Sequence, residues 1–225
     1  MNNDTWKDEY GVIYSADKKR LIKCANKGIK KYNIIPECKI ICDDAFSDCE
    51  RLQQIYIPES TTLIGDWAFA NCTGLTSVTI PNRVTSIGEG VFSYCTYLTS
   101  VIIGNRVTSI GEQAFASCFR LTNVTIPNSV ISIGKRAFFY CIGLTNIIIP
   151  ESVISIGGAA FWCCFGLTNI TIPNKVTLIG DCSFANCTGL TNVVIPNTII
   201  SIDDSVFSGC TGLKDKYNTD ADLPF

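Results

Sequence analysis

Thirteen cysteines and not one histidine set the chemistry open to this 225-residue chain. A thiolate can attack an electrophile, bind a soft metal or pair into a disulfide, and its surroundings decide which. Eight of the thirteen recur with a period of 23: Cys49, Cys72, Cys95, Cys118, Cys141, Cys164, Cys187 and Cys210. Each stands three places after a Phe, from Phe46 through Phe69, Phe92, Phe115, Phe138, Phe161 and Phe184 to Phe207. Side chains stacked in register point the same way, which suits a column of small buried hydrophobes better than the facing geometry of a disulfide. The other five are Cys24, Cys38, Cys42, Cys163 and Cys182, among which Cys38 with Cys42, and Cys163 with Cys182 across one repeat, are the pairs that could approach. Zinc takes four ligands in paired short spacings, and without His only an irregular thiolate set is available. No metal site and no cofactor is expected.

Catalysis has little to work with. The missing His removes the commonest general base and the usual partner of a Ser or Cys nucleophile, and no nucleophile elbow, phosphate loop or carboxylate pair stands out. The acids Asp66, Glu89, Glu112 and Asp181 share one place in the repeat, just after a Gly, and read as a solvated rim. The chain is expected to be no enzyme, with no catalytic residues.

The elements behind these positions follow from the period. A unit so short cannot enclose a core, so it buries its apolar face against its neighbours and the chain becomes a solenoid. Seven full coils begin at Leu52, Leu75, Leu98, Leu121, Leu144, Leu167 and Leu190, and the Leu75 coil, LTSVTIPNRVTSIGEGVFSYCTY, serves as template. Positions 1 to 23 below count from the leading Leu. Leu75, Val78 and Ile80 alternate as in a strand, which Pro81 ends because it cannot donate to a sheet ladder. A second apolar set, Val84, Ile87, Val91 and Phe92, returns the chain, with Gly88 permitting a tight bend. Lys30 to Arg51 reads as a shortened first coil. Stacked at the ordinary strand spacing of roughly 4.8 Å, about eight coils make a rod on the order of 40 Å long. Phe115 should face its core and the nearby Ser117 should face out.

The text of the coil, with its IP, its SIG and its small-residue–Phe pair followed by Cys, resembles the BspA-type (Treponema pallidum-like) leucine-rich repeat. Local departures are Gly104 in place of the Pro, Asp203 in place of the Gly, and Ser183 in place of the Ala before Phe184. The resemblance implies a leucine-rich repeat solenoid of α/β type, built mostly of short parallel β-strands and turns. Gly11 to Lys18 resembles the hairpin that precedes such arrays. The expected organisation is therefore a capping segment at 1–29, a solenoid of one short and seven full coils at 30–212, and a polar last strand and tail at 213–225. Relatives of this kind are commonly surface or secreted proteins implicated in adhesion, which implies a protein-binding module with another protein as partner.

Composition limits the alternatives. The net charge is −2 and the basic residues Arg83, Arg106, Arg120, Lys135, Arg136 and Lys175 are dispersed, so no positive stripe awaits nucleic acid. The longest apolar runs are too short to span a bilayer. The start MNNDTWKDEYGVIYSADKK lacks the apolar stretch of a signal peptide, which leaves a cytosolic chain or a mature form as readings. An intracellular scaffold or inhibitor of another protein is the alternative function, in keeping with the thiol content.

Two surfaces are candidates for recognition. Near the conserved Cys the middle coils carry Tyr94, Tyr97, Phe119, Phe139, Tyr140, Trp162 and Phe165 where other coils carry small residues. Adjacent coils should bring them together as an aromatic band, and aromatics concentrate binding energy. The alternative is the flat, uncharged sheet face, with Asn123, Asn146, Asn169 and Asn192 in one column.

Overall fold

The computed structural model describes residues 5–199 and 202–214. Position-3 residues open three-residue strands such as Ser77–Thr79, Ser100–Ile102 and Asn123–Thr125, which pair parallel in register, Ser77 beside Ser100 beside Asn123. A second parallel row runs through Ser86–Ile87, Ser109–Ile110, Ser132–Ile133, Ser155–Ile156 and Leu178–Ile179. Every pairing between coils is offset by one full period, as the sequence requires. The rest of each coil is turn, and among the described residues only Thr211–Lys214 is helical. That turn of helix stands where the polar last strand was expected to begin, and residues 215–225 of the expected tail lie outside the described residues.

The core is a set of ladders running through all coils. Phe46, Phe69, Phe92, Phe115, Phe138, Phe161, Phe184 and Phe207 stack with ring centroids 5.1 to 5.5 Å apart and planes within 12° of parallel. The leading Leu side chains and the ladder cysteines are buried beside them. Each thiol from Cys72 onward also donates to the carbonyl of the Phe in the preceding coil, as Cys118 Sγ to Phe92 O at 3.2 Å and Cys141 Sγ to Phe115 O at 3.2 Å. Cys is thus small, apolar and a donor where a buried carbonyl needs a second partner.

The turn region is held differently from the sheets. Backbone N–H groups at positions 16, 18 and 20 reach into the next coil, as Gln113 to Lys135, Phe115 to Ala137 and Ser117 to Phe139. Residues between them close three-residue turns within the coil, as Ala116 N–H to Gln113 O. Positions 16 and 20 adopt left-handed backbone, with φ of 54° to 57° at Trp67, Gln113, Arg136, Ala159 and Cys182 and of 57° to 59° at Asn71, Tyr94, Ser117, Tyr140 and Cys163. Nothing but Gly does this freely, so each coil carries backbone strain outweighed by the ladders it aligns. Ser117 is consequently not an outward residue: it is left-handed and 6% exposed.

Two further expectations change. The Gly after SI serves close approach, not a special φ: a Cβ on Gly111 would lie 2.7 Å from the backbone of Gly88 in the coil before. The first coil is also of full length. Lys31 pairs with Gln54 and Ile40 with Leu63, each one period apart, so the coil starts at the buried Ile29, and Pro36 sits one place later than Pro58 with Ile35 in its stead. A proline shift within the turn changed the spelling without changing the path.

The strands β1 (Thr5–Lys7), β2 (Val12–Ser15) and β3 (Arg20–Cys24) form an antiparallel meander whose last strand pairs parallel with Ile40–Ile41. The meander covers the first edge of the second row, where an open parallel stack would leave unpaired groups. Tyr14 and Tyr32 hydroxyls meet at 2.6 Å and Tyr32 donates to Asp8 Oδ2 at 2.5 Å. The Tyr32 ring lies 5.9 Å from Phe46 and so tops the Phe column.

The ladders give stability predictions. Phe115→Ala should lower stability by about 3 to 5 kcal/mol through lost transfer energy and an unfilled cavity. Ser183 is fully buried with its hydroxyl unpaired among the described residues. Ser183→Ala, which restores the residue found at Ala114 and Ala137, should raise stability by ~1 kcal/mol. Urea titration checks both; a loss at Ser183→Ala as large as at Phe115→Ala would refute the assigned packing.

Candidate interaction surface

The seven aromatics follow the Phe column at positions 19, 20, 22 and 23, on the return from the turn region to the first strand. The structure joins four of them. Phe139 stacks on Trp162 of the next coil at 4.8 Å and 13°, Tyr140 meets the Trp162 edge at 5.2 Å, and Phe165 closes the cluster 6.2 Å from Tyr140. Phe139, Tyr140 and Trp162 are half-buried, while Phe165 keeps 41% of its surface exposed. Cys163 lies buried beside Tyr140, and burial raises its thiol pKa.

Tyr94, Tyr97 and Phe119 belong to the two preceding coils and stand 51%, 50% and 38% exposed. The guanidinium of Arg120 lies 4.2 Å over the Tyr97 ring, and that of Arg136 lies 5.6 Å from the Phe139 ring. These arginines were not among the residues singled out from the sequence, where they read only as dispersed charge. Their signal was the coil position: Arg120 occupies position 23 one coil after Tyr97. A cation over an aromatic face orients both groups and adds about 0.5 to 1 kcal/mol at an exposed site.

The sheet face is built from positions 2, 3 and 5. Its threonines at position 2 are committed to the backbone, with Thr99 Oγ1 donating to Thr76 O at 3.0 Å and Thr122 Oγ1 to Thr99 O at 3.2 Å. Asn123, Asn169 and Asn192 open strands, the last two those of Asn169–Thr171 and Asn192–Val194. Asn146 lies outside any strand, and the segment around it lines a groove of about 360 Å³ with Asn128, Ile148, Glu151 and Asn169. At position 5, Tyr56, Ile102, Ile148 and Val194 project with 56%, 64%, 76% and 48% of their surface exposed.

The expected acidic rim is partly structural. Asp43 Oδ1 accepts the Asp66 N–H at 3.0 Å, and Asp66 Oδ1 accepts the Glu89 N–H at 2.8 Å. The acids of the early coils thus bridge backbone from coil to coil. Among the described residues, no group of His, Cys, Asp and Glu is arranged to hold a metal ion, and no helix is long and apolar enough to cross a membrane.

All thirteen cysteines are free thiols. Burial raises the pKa of Cys72 to about 12 and holds Cys95, Cys118, Cys141 and Cys164 well above the usual thiol range. The contrast comes at the first end of the column, where a hydrogen bond from Cys49 lowers Cys24 to about 7 and raises Cys49 in turn.

Comparison with known proteins identifies the repeat. The family described as "BspA type Leucine rich repeat region" matches residues 23–141 and 108–220 in six copies. No curated protein matches the chain in sequence. A leucine-rich repeat protein from Eubacterium ventriosum is 26% identical over 91% of this chain, with a TM-score of 0.80. A leucine rich cell surface protein from Faecalibacterium prausnitzii is 26% identical over 93%, with a TM-score of 0.61. The T. pallidum Leucine Rich Repeat protein is 30% identical over 61%, with a TM-score of 0.60. The chain spans 54% of the Eubacterium ventriosum structure, 72% of the Faecalibacterium prausnitzii structure and 66% of the T. pallidum structure.

The buried thiols predict reactivity and pH dependence. Cys95, Cys118 and Cys141 should resist iodoacetamide in the folded protein and react after denaturation. Because the folded state holds them protonated, stability is fully present below the ordinary thiol pKa and is lost as pH rises above about 8.5, by ~1.4 kcal/mol per pH unit for each such thiol. Cys118→Ala should flatten that alkaline slope by one thiol's share. Rapid native labelling at these three positions, or a slope unchanged by Cys118→Ala, would contradict the burial.

Proposed function

The chain belongs to the BspA-type leucine-rich repeat family, and we propose that it is a non-enzymatic recognition module that takes a protein partner on its aromatic band. Repeats of this family are generally protein-binding or surface-associated, and the solenoid is typically a binding scaffold without catalysis. The observation that carries the reading is the Phe139–Tyr140–Trp162–Phe165 cluster, extended by the exposed Tyr94, Tyr97 and Phe119. Coils elsewhere fill the same positions with Ala70, Asn71, Thr73, Asn186 and Thr188 and still fold. The aromatics therefore exceed what covering the core requires, and large rigid rings beside two arginines have the composition of interface hot spots.

Adhesion at a cell surface is the setting this reading favours. The Faecalibacterium prausnitzii protein is a cell surface protein by description, and it resembles this chain over most of its length. Buried protonated thiols oxidise slowly, so the Cys column is compatible with an oxidising exterior.

Replacing Tyr97, Phe119, Trp162 and Phe165 together by Ser should abolish binding to a partner captured on the wild-type chain, with individual losses of ~2 kcal/mol or more at one or two of them. Asn123, Asn146 and Asn169 changed to Ala form the matched control and should leave that affinity within about threefold of wild type. Calorimetry on the purified pair reads both. Release by the Asn changes and retention without the aromatics would assign the partner to the sheet face and refute the proposal.

A further inference from the structure

The two rows of strands are not closed alike at the first end of the stack. The meander pairs with the second row through Ile40–Ile41, whereas β4 (Lys31–Asn33), the first strand of the other row, pairs only with Gln54–Tyr56. Gln54 N–H reaches Lys30 O at 3.2 Å and Ile34 N–H reaches Tyr56 O at 3.0 Å, so the even-numbered residues of this segment face the second coil. Alternation along a strand turns the N–H and C=O of Lys31 and Asn33 the other way, and among the described residues no hydrogen bond meets them there. Beside them lies a groove of about 160 Å³ lined by Tyr10, Lys31, Tyr32 and Asn33, with the exposed Tyr10 ring set edge-on to Tyr32 at 5.9 Å. Lys30 and Lys31 are exposed, and the one ion pair among the described residues joins Lys19 to Asp17. Asp8, which meets Tyr32 there, already accepts from Tyr10 N–H, Val12 N–H and the Tyr32 hydroxyl.

We infer that β4 is a strand-addition site for a second copy of this chain, whose segment Asp220–Leu223 lies along it and joins the molecules head to tail. An extended peptide presents N–H and C=O groups at the two-residue interval that β4 leaves unpaired. Charge then chooses the sequence. Lys on an edge strand deters a basic or apolar strand and favours an acidic one. Two acids separated by one residue occur in this chain only at Asp48 with Glu50 and at Asp220 with Asp222. The first pair belongs to the folded first coil, where Asp48 Oδ1 accepts from Asn71 Nδ2. Residues 219–225 read Thr-Asp-Ala-Asp-Leu-Pro-Phe and lie outside the described residues. In an extended segment Asp220 and Asp222 share one face, beside Lys31 and Asn33, and Ala221 and Leu223 share the other, toward Tyr10 and Tyr32. Pro224, which has no N–H, ends the pairing. The chain cannot place its own segment there. The Phe column runs through seven intervals of 5.1 to 5.5 Å, so its ends stand on the order of 35 Å apart, while Asp220, six residues past Lys214, reaches at most about 22 Å from it. A contact between two different patches propagates along a row of copies. The site is separate from the aromatic band and does not depend on it.

Sedimentation velocity of the full chain at rising concentration reads the contact. Wild type is expected to grow from monomer to dimer and longer species. Lys30→Glu with Lys31→Glu, and separately Asp220→Lys with Asp222→Lys, should each stay monomeric at concentrations tenfold above those at which wild type associates. An equimolar mixture of the two variants should associate again, because the reversed charges match, and circular dichroism verifies each fold. Strand pairing is read by fluorescence anisotropy of a labelled peptide of residues 218–225 against the Asp220→Lys, Asp222→Lys chain, whose β4 edge is intact. Backbone N-methylation at residues 220 and 222, or at 221 and 223, should weaken the peptide tenfold or more in one of the two sets, since alternate N–H groups face β4. Trp162→Ser with Phe165→Ser should leave association unchanged. A wild-type chain that stays monomeric, a mixture that does not associate, a peptide that binds undiminished through both N-methylations, or loss of association on removing the aromatics would each overturn the inference.

Discussion

Register between coils is the constraint on which everything else in this molecule rests. A single coil has no inside of its own; it acquires one only when each residue lies over its equivalent in the next coil. Then Phe stacks on Phe, every second backbone N–H of the turn region finds a carbonyl one coil on, and each ladder thiol from Cys72 onward reaches the Phe carbonyl one coil back. A slip of one residue would break all of these at once. At Gly111, Gly134, Gly157 and Gly180, position 14 enforces the same spacing sterically, because the backbone of the coil before approaches too closely for a Cβ there.

Register also accounts for the left-handed residues. The turn region must alternate its N–H groups between its own coil and the next, and at positions 16 and 20 it meets this with left-handed φ whether the residue is Trp67, Arg136, Tyr94 or Cys163. Such backbone costs roughly 1 to 2 kcal/mol per non-Gly residue, and it persists because the ladders on either side fix it. Since the backbone is imposed by its neighbours, the side chain there is left to vary. That is why Tyr94 and Tyr140 can stand at a position where other coils have Asn or Gly.

The repeat, its family and its core were legible in the sequence because they are statements about period, and a period of 23 survives in the text without any alignment. What escaped was whatever a period does not encode. Position 20 holds Asp48, Asn71 and Asn186, residues that tolerate left-handed backbone, but Tyr94, Ser117 and Cys163 obscured the signal. The displaced Pro36 made a full first coil look short, because a turn can move its proline without moving the strands. The Gly after SI was read through its own flexibility, while the reason lies in the coil beside it. Of the candidate surface, the seven aromatics were visible as departures from the repeat; the way four of them cluster, and Arg120 over Tyr97, depend on side-chain packing between coils, while Arg136 meets Phe139 within one coil.

The two faces meet along one border. Tyr97 lines a depression with Gln54 and Thr76 of the sheet face, so position 23 touches both surfaces. The aromatic band is local, concentrated in the Leu75 to Leu144 coils. The position-5 column is distributed, with an exposed apolar side chain in every second coil from Tyr56 to Val194. Both patterns keep their spacing because the stacked Phe column beneath them, with neighbouring rings 5.1 to 5.5 Å apart from one end to the other, fixes the frame. The same ladder that gives so short a coil its core therefore gives its outer face a ruler.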